Sequence, residues 1–367
     1  MRRVLEVTNR GGQLRYAYSI DRKDHPYDAE AQRWLQSLFL GLARETGFGA
    51  EQRIATLLRR GGPDAVIAEA EQISSDYVAG LYLKTLISKA KLTDEQMRRV
   101  AETGAREIES DYELAELLIT VSRTHPVDTS LRPVFLRAAG TIESDYEHAR
   151  VLKAVLSGGR LSPADVAAIL TSAGTIDSDY EQAELLVQAA SAYRLNGAAR
   201  TAYIATLKDL ASDYERGRVL KALLSQGDIA PGEQPAVLNA MSSIGSDYEL
   251  AEALIAAAPR MDLTQRATQE SFVRAAAGLS SDYEHARVLK TLVEGGRLAP
   301  EPLAMVLVSA RAIDSDYELA QLLLLVASKY RLTGPLRQAF LETLDEVSSG
   351  YEHDRVASAL LAQERGR

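Results

Sequence analysis

The side chains best suited to binding or catalysis in this 367-residue sequence belong to one short motif, Ser-Asp-Tyr. Glu follows the motif in most copies. The motif occurs eight times, and a ninth copy has Gly in place of Asp. Consecutive copies are 34 or 35 residues apart. A ladder of Asp, Tyr and Glu could bind cations or a basic peptide. The motif acids and tyrosines are Asp111, Tyr112, Asp145, Tyr146, Asp179, Tyr180, Asp213, Tyr214, Asp247, Tyr248, Asp282, Tyr283, Asp316 and Tyr317.

A structural interpretation of this motif is favoured over a metal site. Packed helices lie about 8 to 10 Å apart, whereas calcium–oxygen bonds are about 2.3 to 2.6 Å long, so equivalent acids of successive repeats cannot share one ion. Ser is expected to cap a helix, Glu to complete a capping box, and Asp to complement the helix dipole. Tyr is expected to wedge between helices with its hydroxyl on a polar partner. The tyrosines would then report architecture and not an aromatic binding surface.

A second pattern of charged residues has a period of two repeats. The fifth residue after the motif Asp alternates between Glu and Arg, and the eighth alternates between an apolar residue and Lys. One hypothesis is an ionic ladder between successive repeats, and the other is a partner-binding row on the concave surface. The two are not exclusive. The row consists of Glu116, Arg150, Lys153, Glu184, Arg218, Lys221, Glu252, Arg287 and Lys290.

Catalytic and metal-binding motifs are missing from the sequence, which contains no HExxH, GxSxG, P-loop or GxGxxG pattern. Of the five histidines, His148, His285 and His353 occupy equivalent slots at least two repeats apart, so they cannot meet at one metal. His25 and His125 each precede Pro in a pattern typical of a turn into a helix. We therefore expect no catalytic residue, no metal, no cofactor and no enzymatic activity.

Each repeat reads as two helices. In residues 162–193, Ser162 caps a first helix with Pro at its first position, and Gly174 ends it. A second helix starts at Ser178, with Glu181 placed for a capping box. Neither helix can bury its apolar stripe alone, so neighbouring repeats must stack. The period therefore predicts an all-α fold, an α-solenoid of about nine two-helix repeats.

The N-terminal residues differ from the repeats. Residues 3–20 alternate around Asn9-Arg10-Gly11-Gly12 and predict a β-hairpin. Helices are expected over 28–46 and from about 50 to 60. We predict that residues 1–62 form a cap (hairpin plus helices) over the array, which occupies residues 63–367.

Composition excludes several classes of protein. With 46% hydrophobic and 25% charged residues, the chain is not disordered. The absence of cysteine excludes disulfides and thiolate zinc sites. A net charge of −9 argues against a nucleic-acid partner. Apolar runs stay far below a membrane span, so no membrane insertion is expected, and the N-terminal residues lack the features of a signal peptide.

The iterated SDYE-x-A-x-x-L units resemble uncharacterised bacterial helical repeat regions, and the similarity covers nearly the whole chain. Some of these regions lie at the extracytoplasmic, C-terminal end of membrane metallopeptidases that resemble antibiotic sensors. A segment like residues 14–35, which contains YSIDRKDHPYDAEAQRWL here, precedes the repeats there too. The resemblance implies a sensor or interaction region of a larger protein. Tetratricopeptide repeats are similar in period only.

Three functional hypotheses follow. The first is a scaffold whose concave face binds a protein or peptide of unknown identity. The second is a structural spacer or self-association module, which leaves homo-oligomerisation open. The third is a ligand-sensing domain, which would require a deep pocket that the repeat pattern does not predict.

Overall fold

A computed structural model describes residues 1–159, 161–227, 229–295 and 298–365. In these ranges three β-strands precede nineteen α-helices, which confirms the predicted all-α solenoid with a small β element at its N-terminus. The contacts divide the chain into two units, Met1–Gly158 and Gly159–Arg367.

The first unit opens with an antiparallel sheet of strands β1 (Arg3–Arg10), β2 (Gln13–Ile20) and β3 (Lys23–His25). The predicted hairpin is confirmed, and β3 is an addition to it. Gly11 and Gly12 form the tight turn with φ of 62° and 85°, a left-handed conformation that glycine adopts without strain.

Two long helices follow the sheet. Helix α1 (Ala29–Thr46) begins at Asp28, whose carboxylate accepts hydrogen bonds from two backbone N–H groups of the first turn. Helix α2 (Ala50–Ala70) kinks at Gly62, where φ is 67°, immediately before Pro63. The predicted border between cap and array thus coincides with a kink inside one helix, and the division into cap and array stays a prediction.

The repeats alternate between two kinds of helix. Motif helices begin at the motif Asp, or at Gly350 in the last copy, and connecting helices lie between them. The motif helices are α3 (Asp76–Lys89), α5 (Asp111–Thr124), α7 (Asp145–Ser157), α9 (Asp179–Ala192), α11 (Asp213–Ser225), α13 (Asp247–Ala257), α15 (Asp282–Glu294), α17 (Asp316–Lys329) and α19 (Gly350–Arg365). The connecting helices are α4 (Asp94–Glu107), α6 (Arg132–Ala139), α8 (Pro163–Ala173), α10 (Gly197–Asp209), α12 (Gln234–Met241), α14 (Arg266–Ala276), α16 (Pro300–Ala310) and α18 (Gly334–Leu344).

Within each unit the helices form two layers, because each motif helix packs on the next motif helix and each connecting helix packs on the next connecting helix. The apolar stripes meet between the layers. Val166, Ile169 and Leu170 of α8, and Ala183 and Leu186 of α9, are all buried, as their helical spacing predicts. This packing holds the N-terminal ends of the motif helices side by side along one edge of the layer.

Candidate functional site: the tyrosine face of the motif helices

The motif tyrosines form a regular exposed row. Eight of them are between 55% and 60% exposed, although tyrosine is a residue of intermediate burial in most proteins. Each is the second residue of its helix. We call this set the tyrosine row; it consists of Tyr77, Tyr112 and Tyr146 in the first unit and of Tyr180, Tyr214, Tyr248, Tyr283, Tyr317 and Tyr351 in the second.

The expected wedging of these rings between helices is therefore wrong. The apolar stripe of α13, for example, contains Leu250, Ala251 and Leu254, which are buried, while Tyr248 lies on the opposite side of the helix beside Glu252. Residues four apart share a helix face, so the six tyrosines Tyr112, Tyr146, Tyr180, Tyr214, Tyr248 and Tyr283 share their faces with a Glu or Arg of the predicted charged row. The tyrosine row is thus an exposed surface, while the expectation that it is not an aromatic binding surface stays a prediction.

The motif aspartates link successive repeats, a role that the sequence pattern does not predict for them. Asp247 accepts from Ser281 N at 2.7 Å and from Ser280 N at 3.1 Å, so its carboxylate holds the start of the next motif helix. A carboxylate beside a helix N-terminus also complements the dipole of that helix. The same link joins Asp76 to Ser110, Asp111 to Ser144, Asp179 to Ser212, Asp282 to Ser315 and Asp316 to Ser349.

Of the two hydrogen bonds of the predicted capping box, the one from the Glu N–H to the Ser hydroxyl is present, and the one from the Ser N–H to the Glu carboxylate is not. Ser212 accepts from the N–H of Glu215, as predicted, but its own N–H donates to Asp179 of the preceding repeat at 2.8 Å. The Glu215 carboxylate binds Arg218 instead, at 2.6 Å. The helix start is thus completed between repeats and not within one helix. In the last motif Gly350 has no carboxylate, so this link cannot continue beyond it.

The charged row contains ionic links between neighbouring motif helices, which confirms the ladder hypothesis. Arg150 bridges Glu116 of the preceding helix at 2.6 Å and Glu147 of its own helix at 2.5 Å. Glu116 supplies the hydrogen bond that contributes most to raising the pKa of Arg150. Arg218 bridges Glu184 and Glu215, and Arg287 bridges Glu252 and Glu284, at 2.5 to 2.8 Å.

Lysines form ion pairs between some of the neighbouring motif helices that the arginines do not connect. The Nζ atom of Lys290 lies 2.7 Å from Glu318 Oε2, and that of Lys221 lies 3.8 Å from Glu249 Oε2. In the first unit, Lys84 pairs with Glu113 at 3.0 Å. Lys153 occupies the equivalent position of α7. The structure therefore places all nine predicted charged residues on motif helices and engages most of them in pairs, while their role in binding a partner stays a prediction.

Guanidinium groups lie over several rings of the row. The Cζ atom of Arg150 is 6.0 Å from the ring centroid of Tyr112 and 5.8 Å from that of Tyr146. Arg287 and Arg355 lie over the tyrosines of their own helices at 5.8 and 5.7 Å. These distances are in the range of cation–π attraction. Each of these arginines thus combines an aromatic contact with at least one ionic contact.

The histidines of the motif helices have a separate role. His148 and His285 are buried, and burial lowers the pKa of both because the charged form would lose its hydration. His285 Nε2 lies 3.0 Å from Ser309 Oγ of α16. Across the described ranges, no group of three or more His, Asp or Glu side chains is arranged to hold a metal ion.

The sequence pattern does not predict two other surfaces. An open cleft of about 530 Å³ in the second unit is lined by Ile255, Met261, Leu263, Leu292 and Leu298. It lies where the α13 segment passes into a 3₁₀ turn, Ala258–Arg260, and Pro259 within that turn is the sequence signal for it.

The second of these surfaces is an apolar patch on and after α1 in the first unit. It consists of Leu38, Phe39, Leu42 and Phe48, which are 43% to 71% exposed. The helical spacing of the first three predicts burial against the array, which the structure does not show. Among the helices described, none is both long and apolar enough to cross a bilayer.

Comparisons with known proteins do not assign the chain to a family. No protein-family model matches the chain, and no curated protein matches it. Among solved structures, it is similar to the crystal structure of an engineered protein, with 17% identity and a TM-score of 0.33 over 85% of this chain and 98% of that one. It is also similar to a structure from a computational design of self-assembling cyclic homo-oligomers, with 13% identity and a TM-score of 0.13 over 90% of this chain and 96% of that one. Neither likeness is close enough to support a functional argument.

Proposed function

We propose that the chain is a non-enzymatic scaffold that binds a protein or an extended peptide along the exposed face of its motif helices. The observation that carries this proposal is the tyrosine row, in which the same side chain is more than half exposed in every repeat. Nothing in the fold of a single repeat requires a large aromatic ring at that exposed position, because Ser and Asp make the links between repeats.

The composition of this face supports a binding role. Tyrosine and arginine are the residues most enriched at the energetic centres of protein interfaces. Tyrosine offers a large contact area at a low cost in side-chain entropy. The tyrosine row runs beside Arg218 and Arg287, whose guanidinium groups are already held in place by two carboxylates each. A partner would therefore meet side chains that are largely pre-organised.

The geometry favours an extended partner over a small molecule. In the second unit six motif helices pack in sequence, and each contributes one tyrosine. With about 8 to 10 Å between packed helices, the row is about 40 to 50 Å long. A small ligand prefers a concave pocket that buries most of its surface, which a row of exposed rings does not provide.

A peptide-display experiment tests this proposal even though the natural partner is unidentified. A random peptide library would be selected on the full chain, and the selected peptides measured against a triple variant with Tyr214→Ser, Tyr248→Ser and Tyr283→Ser. We expect these substitutions to weaken binding at least tenfold. Val308→Ser is the matched control, since Val308 is exposed on a connecting helix and its loss should leave binding unchanged.

Two outcomes would contradict the proposal. Selection could enrich no peptide above background, or the enriched peptides could bind the triple variant as tightly as the unmodified chain. The helix content of the triple variant is measured by circular dichroism, because a loss of binding supports the proposal only if the variant is still folded.

Self-association is the second candidate function, and the apolar patch of α1 is the observation that favours it. Exposed large apolar groups that lie together are typical of contact surfaces. The occupant would be a second copy of the chain. Light scattering over a range of concentrations should show oligomers of the unmodified chain and only monomers of the double variant Phe39→Ser with Leu42→Ser. A monomer of the unmodified chain at all concentrations would exclude this candidate.

A further inference from the structure

One of the chain's own arginines, Arg150, shows which group fits between two tyrosines of the row. Arg150 lies within 6.0 Å of the rings of both Tyr112 and Tyr146, at the junction between two neighbouring motif helices. Arg218 and Arg287 occupy the equivalent position, each bonded to a Glu of the preceding helix. At every second junction, therefore, a guanidinium group belonging to the chain lies beside the tyrosine row.

The intervening junctions of the second unit lack such an arginine. One lies between Tyr214 and Tyr248, and the other between Tyr283 and Tyr317. Four residues after Tyr248 and Tyr317 the sequence has Glu252 and Gln321 in place of Arg. In the described part of the chain no cation–π contact involves Tyr214, Tyr248 or Tyr317, whereas the ring of Tyr283 is contacted on its own helix by Arg287.

The lysines of these junctions do not replace the missing guanidinium groups. Lys221 and Lys290 come seven residues after the tyrosines of their helices, about two turns away. Their ammonium groups pair with Glu249 and Glu318 of the next helix. The tyrosine rings at these junctions stay more than half exposed.

The charge of the second unit is unevenly divided between its two layers. The six motif helices α9, α11, α13, α15, α17 and α19 together carry 16 acidic and 8 basic side chains, a net charge of −8. The six connecting helices α8, α10, α12, α14, α16 and α18 carry 5 of each, a net charge of zero. The acidic excess is thus confined to the layer that presents the tyrosines.

From these two observations we infer that the partner is an extended cationic segment, whose Arg or Lys side chains enter the junctions that the chain's own arginines leave open. This inference rests on the proposed function and names the chemistry of its partner. Ring faces attract cations, and the acidic layer raises the local concentration of a cationic chain. An acidic peptide or a nucleic-acid phosphate backbone is disfavoured, because the arginines are already held by carboxylates and the net charge of the layer is negative.

The spacing of the open junctions sets the spacing of the cations. Two junctions along the layer correspond to about 16 to 20 Å, at 8 to 10 Å between packed helices. An extended chain advances about 3.3 Å per residue, so cationic residues about five or six positions apart would reach successive open junctions.

Three fluorescein-labelled 18-residue peptides test the inference by fluorescence anisotropy with the full chain. The first carries Arg at every sixth position in a Gly-Ser background, the second has Glu at the same positions, and the third has three adjacent Arg residues. We expect the spaced-Arg peptide to bind at least tenfold more tightly than the Glu peptide and at least threefold more tightly than the clustered one. Tyr248→Ser with Tyr317→Ser should weaken its binding at least fivefold, while Val308→Ser should not.

The outcomes separate this inference from the proposed function. If the Glu peptide binds as well as the spaced-Arg peptide, or if the clustered peptide binds equally well, the inference is overturned. If peptides from the display library need the tyrosines but the spaced-Arg peptide does not bind, the inference fails and the proposed function stands. If the binding of no peptide depends on the tyrosines, both fail.

Discussion

Within each unit, two neighbouring residues of the same motif have different environments. The motif Asp is half-buried and holds the first residues of the next motif helix, whereas the following Tyr is more than half exposed. Both recur with the same period, so the repetition alone does not distinguish a residue that links the repeats from one that faces outward. Within the motif, therefore, the Asp links the repeats, and the adjacent Tyr presents an exposed ring.

The largest effect is expected from breaking an Asp link. Asp247→Ala removes the acceptor of two backbone N–H groups, those of Ser280 and Ser281. Hydrogen bonds to a charged group contribute about 1.5 to 3 kcal/mol, so we expect the free energy of unfolding to fall by about 2 kcal/mol in urea denaturation. Asp247→Asn should lose less, because the amide keeps one acceptor oxygen.

Asp354→Ala is the matched control for this substitution. Its side chain is almost fully exposed in the last motif helix, and we expect a change within about 0.5 kcal/mol. An equal loss for the two alanine variants would show that the Asp link does not stabilise the stack.

A buried histidine should make stability depend on pH. Burial lowers the pKa of His285, so the unfolded chain, with an ordinary histidine pKa near 6.5, takes up a proton before the folded chain does. Stability should therefore fall as the pH falls below about 6.5, by at most about 1.4 kcal/mol per pH unit for each such histidine.

The variant His148→Gln with His285→Gln tests this dependence. Gln182 occupies the same slot in α9 and is buried there with its amide donating to two backbone carbonyls, so glutamine fits the position. Urea denaturation between pH 7 and pH 5 should show a shallower loss of stability in the variant. An unchanged slope would exclude these two histidines as its source.

A smaller effect for each ion pair is expected from the ionic ladder, whose Arg side chains are partly exposed. Charge reversal of Arg150, Arg218 and Arg287 to Glu places three like charges against six carboxylates. Single partly exposed pairs contribute about 0 to 1 kcal/mol, so Arg287→Met, which removes two pairs, should cost about 2 kcal/mol at most. The triple reversal should lower the unfolding midpoint further, and the loss should shrink at about 0.5 M salt if it arises from charge.

The fold is predictable from the sequence because its signals are local and repeated. The period determines the number of motif helices, Ser162 and Ser178 mark helix starts, and Gly11 with Gly12 marks the hairpin turn. The Glu–Arg ladder is also predictable, since equivalent positions of stacked helices face each other.

The environment of the motif residues is not predictable in the same way. Whether the N–H of Ser212 is bound by Glu215 or by Asp179 depends on how two packed helices are offset, which the pattern of one helix does not contain. For the tyrosines a usable signal is present: Tyr248 lies four residues before Glu252, on the polar side of its helix. That spacing is a better guide to the exposure of the ring than the general preference of aromatic rings for the interior.

The division of roles between the motif Asp and Tyr is tested by comparing Tyr248→Ala with Asp247→Ala in one urea denaturation experiment on the full chain. We expect Tyr248→Ala to lower the free energy of unfolding by no more than about 0.5 kcal/mol, the usual range for exposed positions, and Asp247→Ala to lower it by about 2 kcal/mol. A loss for Tyr248→Ala that equals or exceeds the loss for Asp247→Ala would contradict this division of roles, because the ring would then stabilise the stack and not be free for a partner.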